Sequence, residues 1–177
     1  MTLFFRRFIG ALVLDAVAFE EIEGDRHAAM QSVIVVLLVC AAGGLAALGL
    51  GLVGISGFVT GTIISLGAWL VWAAVMTTLG TIAVPEAQTK SDLPELLRVL
   101  GFASAPGVFM ALAAMRGVTP IVMTIVLVWT IASSVIGVRQ ALDYRSTARA
   151  ILVCVASGLL SAGLVFAVLL MFSRRVS

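Results

Sequence analysis

From Ala28 to Pro85 the chain runs for 58 residues without a charged side chain. About 20 apolar residues cross the hydrocarbon core of a bilayer. The run is therefore too long for one span and suits two joined by a tight turn, which Gly49, Gly51, Gly54 and Gly57 mark. Three further uncharged runs follow: Val99–Met115 with 17 residues, Gly117–Val138 with 22 and Ala150–Ser173 with 24. Five spans are predicted, near 28–50, 58–82, 101–116, 118–139 and 149–172. The third is short and contains Pro106, so a kink, a tilt or burial by its neighbours is expected. Composition agrees, since 62% of the 177 residues are apolar and 11% are charged, against about 45–50% and about 25% in a soluble domain. Barrel strands would alternate apolar and polar residues over ~10 positions, and these runs do not alternate. The expected architecture is all-α: a polytopic membrane bundle forming a single domain over residues 1–177. A net charge of +2 with no basic cluster gives no case for nucleic-acid binding.

Two segments beside the spans have amphipathic spacing. In residues 3–19, Phe5, Phe8, Ile9, Leu12, Ala16 and Phe19 share a stripe, with Arg6 and Arg7 off it. In residues 92–101, Asp92 and Glu95 have capping-box spacing and Pro94 falls in the first turn. Leu93, Leu96, Leu97 and Leu100 then form an apolar face, with Arg98 away from it. Both segments are predicted to lie on the membrane surface, the first within a cytoplasmic or interfacial stretch over 1–27. Arg6-Arg7 and Ala16-Val17-Ala18 resemble parts of a secretion signal, but Asp15 interrupts the apolar portion and cleavage is not expected. The positive-inside rule sets the orientation. With the N-terminus inside, Arg6, Arg7, Arg26, Lys90, Arg98, Arg139, Arg145 and Arg149 are inner, while Arg116, Arg174 and Arg175 are outer. A multi-pass protein of a bacterial inner membrane is expected, N-terminus cytoplasmic and C-terminus outside.

Three stretches resemble the Ypt-interacting-protein (Yip) family, and specifically its short bacterial five-span members. They are Leu14–Asp25 before the first span, Leu93–Pro106 entering the third, and Ile136–Ala150 joining the last two. Gly101, Phe102 and Pro106 stand where the family has a glycine, aromatic, proline pattern, often with tyrosine as the aromatic. Arg139, Asp143 and Tyr144 carry the likeness in the last loop. The resemblance implies a five-span fold more than a role. Eukaryotic members act in vesicle trafficking and bind small GTPases, and they carry a long cytosolic N-terminal region that is not expected here.

No candidate chemistry points to an enzyme. The spans carry no well-buried charge, which argues against a pump. Glu23 and His27 share helical spacing, but a single histidine is poor material for a metal centre. Cys40 and Cys154 differ in expected depth by roughly 10 Å, so two free thiols are expected. Ser104, Ser133, Ser134, Ser157 and Ser161 lie in apolar runs, with His27 at the rim as the lone imidazole.

Trp69 and Trp72 fall in the middle of the second span and Trp129 in the middle of the fourth, away from the interfaces that tryptophan prefers. Ser65, Trp69, Trp72 and Met76 form a stripe. These residues pack the interior or contact lipid, or they bind a flat apolar ligand such as a lipid, quinone or pigment; no other cofactor is expected. Small residues recur at four-residue spacing: Gly57, Gly61 and Ser65; Ala42 and Ala46; Gly43 and Ala47; Gly158 and Ala162; Gly163 and Ala167. Thr130, Ser134 and Gly137 form a similar face. Such faces let helices approach closely in lipid. The leading expectation is a non-enzymatic scaffold that organises membrane, or an accessory subunit of a larger membrane complex. Its partners would be lipids and other integral membrane proteins, or a second copy. The alternative is a channel-like or carrier permease for a neutral or lipidic solute.

Overall fold

The computed structural model describes residues 2–85 and 92–176, with side chains as far as Ala167. Lys90 and the side chains of Arg174 and Arg175 lie outside the described residues. Seven α-helices follow in order: α1 Leu3–Leu12, α2 Ala16–Gly24, α3 Ala28–Gly49, α4 Ile55–Thr78, α5 Leu93–Ala103, α6 Thr119–Ala141 and α7 Thr147–Val176. A π-helical turn, Leu79–Ala83, continues α4, and a 3-10 segment, Ala105–Ala114, continues α5. No strand occurs among the described residues. Five helical stretches are long and apolar enough to cross a membrane: Ala28–Gly49, Ile55–Ala83, Leu93–Ala114, Thr119–Ala141 and Thr147–Ala167. The chain is a multi-pass helical membrane protein.

The first two spans are separated by a turn tighter than the glycines alone suggested. Gly51 takes φ +74°, a conformation that a Cβ would strain. The Gly51 N–H donates to Leu48 and the Leu52 N–H to Ala47, which lets the next helix begin at Ile55.

The third span differs most from its sequence boundary, beginning at Leu93 rather than near residue 101. Asp92 and Glu95 close a reciprocal capping box there. A 3-10 helix rises about 2.0 Å per residue against 1.5 Å for an α-helix. Half of this span is 3-10, so it reaches about 35 Å and clears a ~30 Å hydrocarbon core. Pro106 sits at the start of the 3-10 segment, where its missing N–H costs little. Arg98, expected off the apolar face, is instead only 6% exposed. The amphipathic face of α5 is not a surface anchor, because α1, α2, α3 and α6 pack around it.

The N-terminal segment is likewise not one surface helix. It breaks at Val13–Asp15, where Leu14 takes φ +63° and the Asp15 side chain caps α2 by accepting from the Val17 N–H. The chain reverses there, and the Ala18 side chain packs directly on Gly10. Reversal puts Phe8 and Phe19, which one continuous stripe would align, on the inner face of a hairpin. Phe19 is fully buried and Phe8 packs against the core.

The five spans close into a ring. α4 packs on α3, α3 on α5 and its 3-10 extension, these on α6, α6 on α7, and α7 back on α4. The α1–α2 hairpin fills the side of the ring between α5 and α6. Burial is uneven: 67% of the third span lies inside the chain but only 6% of the span through α4. Arg6, Arg7, Glu20, Glu21, Glu23, Asp25, Asp92, Glu95, Arg98, Arg139, Asp143, Arg145 and Arg149 all gather at or near one end of the ring, called the charged end below.

Candidate functional site

At the charged end the hairpin is held by a buried arginine. Arg7 is 2% exposed, with its Nη2 at 2.6 Å from Asp25 Oδ2 and its Nη1 at 3.1 Å from Gln31 Oε1. Glu21 sits 3.2 Å away on the other side and also pairs with the exposed Arg6. A buried guanidinium is tolerable only when its donors are met in this way. The bond from Arg7, helped by the His27 backbone N–H, holds the Asp25 carboxyl down at about 2.

Beside this lies a cleft of about 460 Å³ lined by Glu20, Glu23, Glu95, Arg139, Gln140 and Asp143. Burial pushes the Glu23 carboxyl up to about 7, and the charges of Asp143, Glu95 and Glu20 push the same way while Arg98 pulls down. Arg98 donates through Nη2 to the Glu23 carbonyl oxygen, and its buried Nε has no partner. Glu23 therefore holds or releases a proton near neutral pH. Among the described residues no group of histidine, cysteine and acidic side chains has the arrangement to hold a metal ion.

The motif residues lock this end together. A Cβ on Gly101 would lie 2.6 Å from Ser32 Cβ, so α5 and α3 touch backbone to backbone there. Phe102 is fully buried and its ring stands 6.3 Å from that of Phe4 in α1. Arg139 Nε donates to the Tyr144 carbonyl oxygen at 3.3 Å. Asp143 takes φ +52° in the loop that turns the chain back. Tyr144 Oη, 3% exposed, shares its proton between the carbonyl oxygens of Gly80 and Val84, each at 2.8 Å. The tyrosine thus satisfies acceptors that the π-helical turn leaves over. Arg149 reaches the Pro85 carbonyl oxygen at 3.4 Å.

Deeper in the ring, α4 and α6 face each other with little direct contact. Two cavities fill the gap. One, of about 480 Å³, is lined by Val39, Trp69, Trp72, Gly107, Met110 and Leu127 among others. The second, of about 430 Å³, shares Trp72 and Leu127 and extends past Ser134 to Cys154 and Gly158. Toward the charged end α4 packs instead on α7, where Met76 and Ser157 are both fully buried and Ser157 Oγ lies 3.3 Å from Met76 Sδ and 3.0 Å from the Cys154 carbonyl oxygen. Trp69 and Trp72 line this interior. Trp129 does not: its ring stacks on Phe109 at 5.4 Å and its Nε1 donates to the Leu12 carbonyl oxygen at 2.8 Å. Cys40 and Cys154 are both free and buried.

The small residues divide into two groups. Added Cβ atoms would collide at Gly44 with Phe58, at Gly49 with Ala114, at Gly107 with Val39 and at Gly137 with Val99. These glycines close the ring. Gly43, Gly61 and Gly158 have open space beyond them, and Gly57 meets only Val53 of the adjoining turn. Ser65 and Ala162 are exposed, and Ala47 is half-buried. What separates the groups is the partner helix, which four-residue spacing does not record. The buried arginines, Arg7 and Arg98, were not distinguishable in the sequence from their exposed neighbours.

Residues 9–169 match the Yip1 domain family, which spans both the charged end and the ring. No curated protein and no solved structure matches the chain.

Proposed function

The chain belongs to the Yip1 domain family, and on that footing we propose that it is a non-enzymatic scaffold of a bacterial inner membrane, or an accessory subunit of a larger complex there. The observation that carries this reading is α4. Only 6% of its span is buried within the chain, yet it presents Gly57, Gly61 and Ser65 on a face with open space or exposure. In lipid a small-residue face gains by close contact with another helix, and this chain supplies none at Gly61. Gly43, Ala47 and Ala162 extend the set of docking positions, whereas Gly158 lines the second cavity. The distribution of lysine and arginine supports a cytoplasmic charged end and N-terminus, with the C-terminus outside.

Extraction in mild detergent followed by mass spectrometry tests the reading, with the α4 face varied in parallel. A partner or second copy at fixed stoichiometry, lost in Gly61→Leu while the variant stays folded, supports it. A wild-type protein that emerges alone overturns it.

The permease reading draws on the gap between α4 and α6. Flux of a neutral solute into proteoliposomes, absent from empty vesicles, would move the assignment to that reading.

A further inference from the structure

We infer that the cavity between α4 and α6 binds a neutral lipophilic molecule with a carbonyl oxygen set deep in its apolar body, of the quinone class, and that Trp69 Nε1–H is its donor. The inference does not rest on the scaffold reading, because it concerns the space beside Trp69, whose lining does not include Gly57, Gly61 or Ser65.

The space beside Trp69 is a groove that opens past Met123 and Leu127, both exposed. A space of about 480 Å³ between spans lies within the range of small-molecule sites. Its lining carries no charged side chain, so a charged ligand has no counter-ion there. Trp69 Nε1 is buried and has no acceptor. Such an N–H inside a membrane bundle is costly to leave unmet. The cavity that its ring lines is the space from which an acceptor can come, once the indole turns its N–H toward it.

None of the hydroxyls on the lining, those of Ser104, Thr124 and Thr130, accepts from Trp69 Nε1. Ser104 Oγ donates to the Gly101 carbonyl oxygen at 2.7 Å and Thr124 Oγ1 to that of Pro120 at 2.8 Å, which turns both side chains back along their own helices.

Depth selects the ligand class. Trp69 stands midway along Ile55–Ala83, about 15 Å from either edge of the hydrocarbon core. Phospholipid ester carbonyls lie at those edges, and an acyl chain brings no acceptor to the middle. A quinone-type ring carries its carbonyls on a flat apolar frame and can sit at this depth. Trp69, Trp72, Met110 and Met123 offer polarisable faces to such a ring. Entry is from the bilayer, since Met123 and Leu127 on the lining are 49% and 60% exposed.

The full chain, labelled with [15N-indole]tryptophan in phospholipid nanodiscs, can be titrated with decylubiquinone while the three indole N–H signals are followed by NMR. The Trp69 signal is expected to move downfield and saturate, with Trp129, already bonded to Leu12, unmoved. Dodecane is expected to leave the Trp69 signal in place. Trp69→Phe keeps one aromatic ring and deletes the donor with the five-membered ring that carries it, and should weaken binding, read at the Trp72 signal, by about threefold to tenfold. A Trp69 signal that stays still overturns the inference, as does one that follows dodecane equally or an unchanged affinity in Trp69→Phe. Should that variant not fold, Trp72→Phe and Trp129→Phe assign the wild-type signals, and the wild-type titration decides alone.

Discussion

Trp129 and Leu12, 117 residues apart, are joined by a hydrogen bond of 2.8 Å from the indole N–H to the carbonyl oxygen. Arg139 marks the charged end of α6, and Trp129 lies ten residues deeper, roughly 15 Å along the helix axis. That is half the ~30 Å hydrocarbon core. The tip of the α1–α2 hairpin therefore reaches the middle of the bundle rather than resting on a membrane surface. Ser133 Oγ, which donates to Ala11 at 3.3 Å, makes a second tie just below.

Trp129→Phe keeps one aromatic ring beside Phe109 and removes the donor together with the five-membered ring of the indole. The unmet Leu12 carbonyl oxygen is expected to cost about 1–3 kcal/mol, to which the lost packing adds, and the melting temperature in detergent should fall. Hydrogen exchange should rise across residues 3–24 and not in α7. Exchange that rises equally throughout would show that the hairpin is not an element tied at this point.

Two helical glycines, Gly101 and Gly61, should respond oppositely to alanine. Gly101→Ala forces a methyl against Ser32 Cβ and its backbone, and overpacking of this kind costs about 1–3 kcal/mol. Gly61→Ala meets nothing within 4 Å and gains helix propensity worth up to about 1 kcal/mol. Unfolding in mixed micelles, compared for the two variants, reads the difference directly. Equal destabilisation would remove the distinction between glycines in close contact and glycines with open space beyond them.

The spans were legible because charge-free runs report the solvent around a helix, and lipid tolerates almost no charge. The capping box at Asp92 was legible because its signal is local. The hairpin was not. Phe5, Phe8, Ile9, Leu12, Ala16 and Phe19 keep helical spacing across the break at Leu14, so periodicity alone joins two helices into one. Asp15 is the residue that could have separated them, since a capping carboxylate inside an apolar stripe starts a helix more readily than it continues one. Arg7 and Arg98 were read as surface charges because burial of a charge depends on partners far along the chain, here Asp25 and the Glu23 carbonyl. For the interior, the sequence placed three tryptophans at mid-depth. Only the ring geometry separates Trp69 and Trp72, which line the cavities, from Trp129, which fastens the hairpin.

Tyr144 links the last loop to the end of α4. Tyr144→Phe leaves the Gly80 and Val84 carbonyl oxygens without their donor in a buried place, a loss of about 1–3 kcal/mol. The Leu79–Ala83 turn is expected to exchange its amide hydrogens faster while α3 and α5 stay protected. An unchanged turn in a folded variant would show that the π geometry does not depend on the tyrosine.

Two carboxyls at the charged end give opposite pH dependences. Asp25 sits at about 2 in the folded protein against 3.8 for the free group. Its contribution is fully present above about pH 4 and is lost as pH falls toward 2. Glu23 sits at about 7 against 4.5. The folded state then binds more protons than the unfolded state between those values, so stability falls as pH rises from about 4.5 to 7. Glu23→Gln removes the titrating group and should flatten that limb, leaving the acid limb in place. Arg7→Met should do the reverse, weakening the hold on Asp25 and shrinking the acid limb, at a lower overall melting temperature. Melting temperatures of the wild type and both variants between pH 3 and 8 check the pair. A Glu23→Gln profile that still declines from pH 4.5 to 7 would place the responsible proton elsewhere in the cleft.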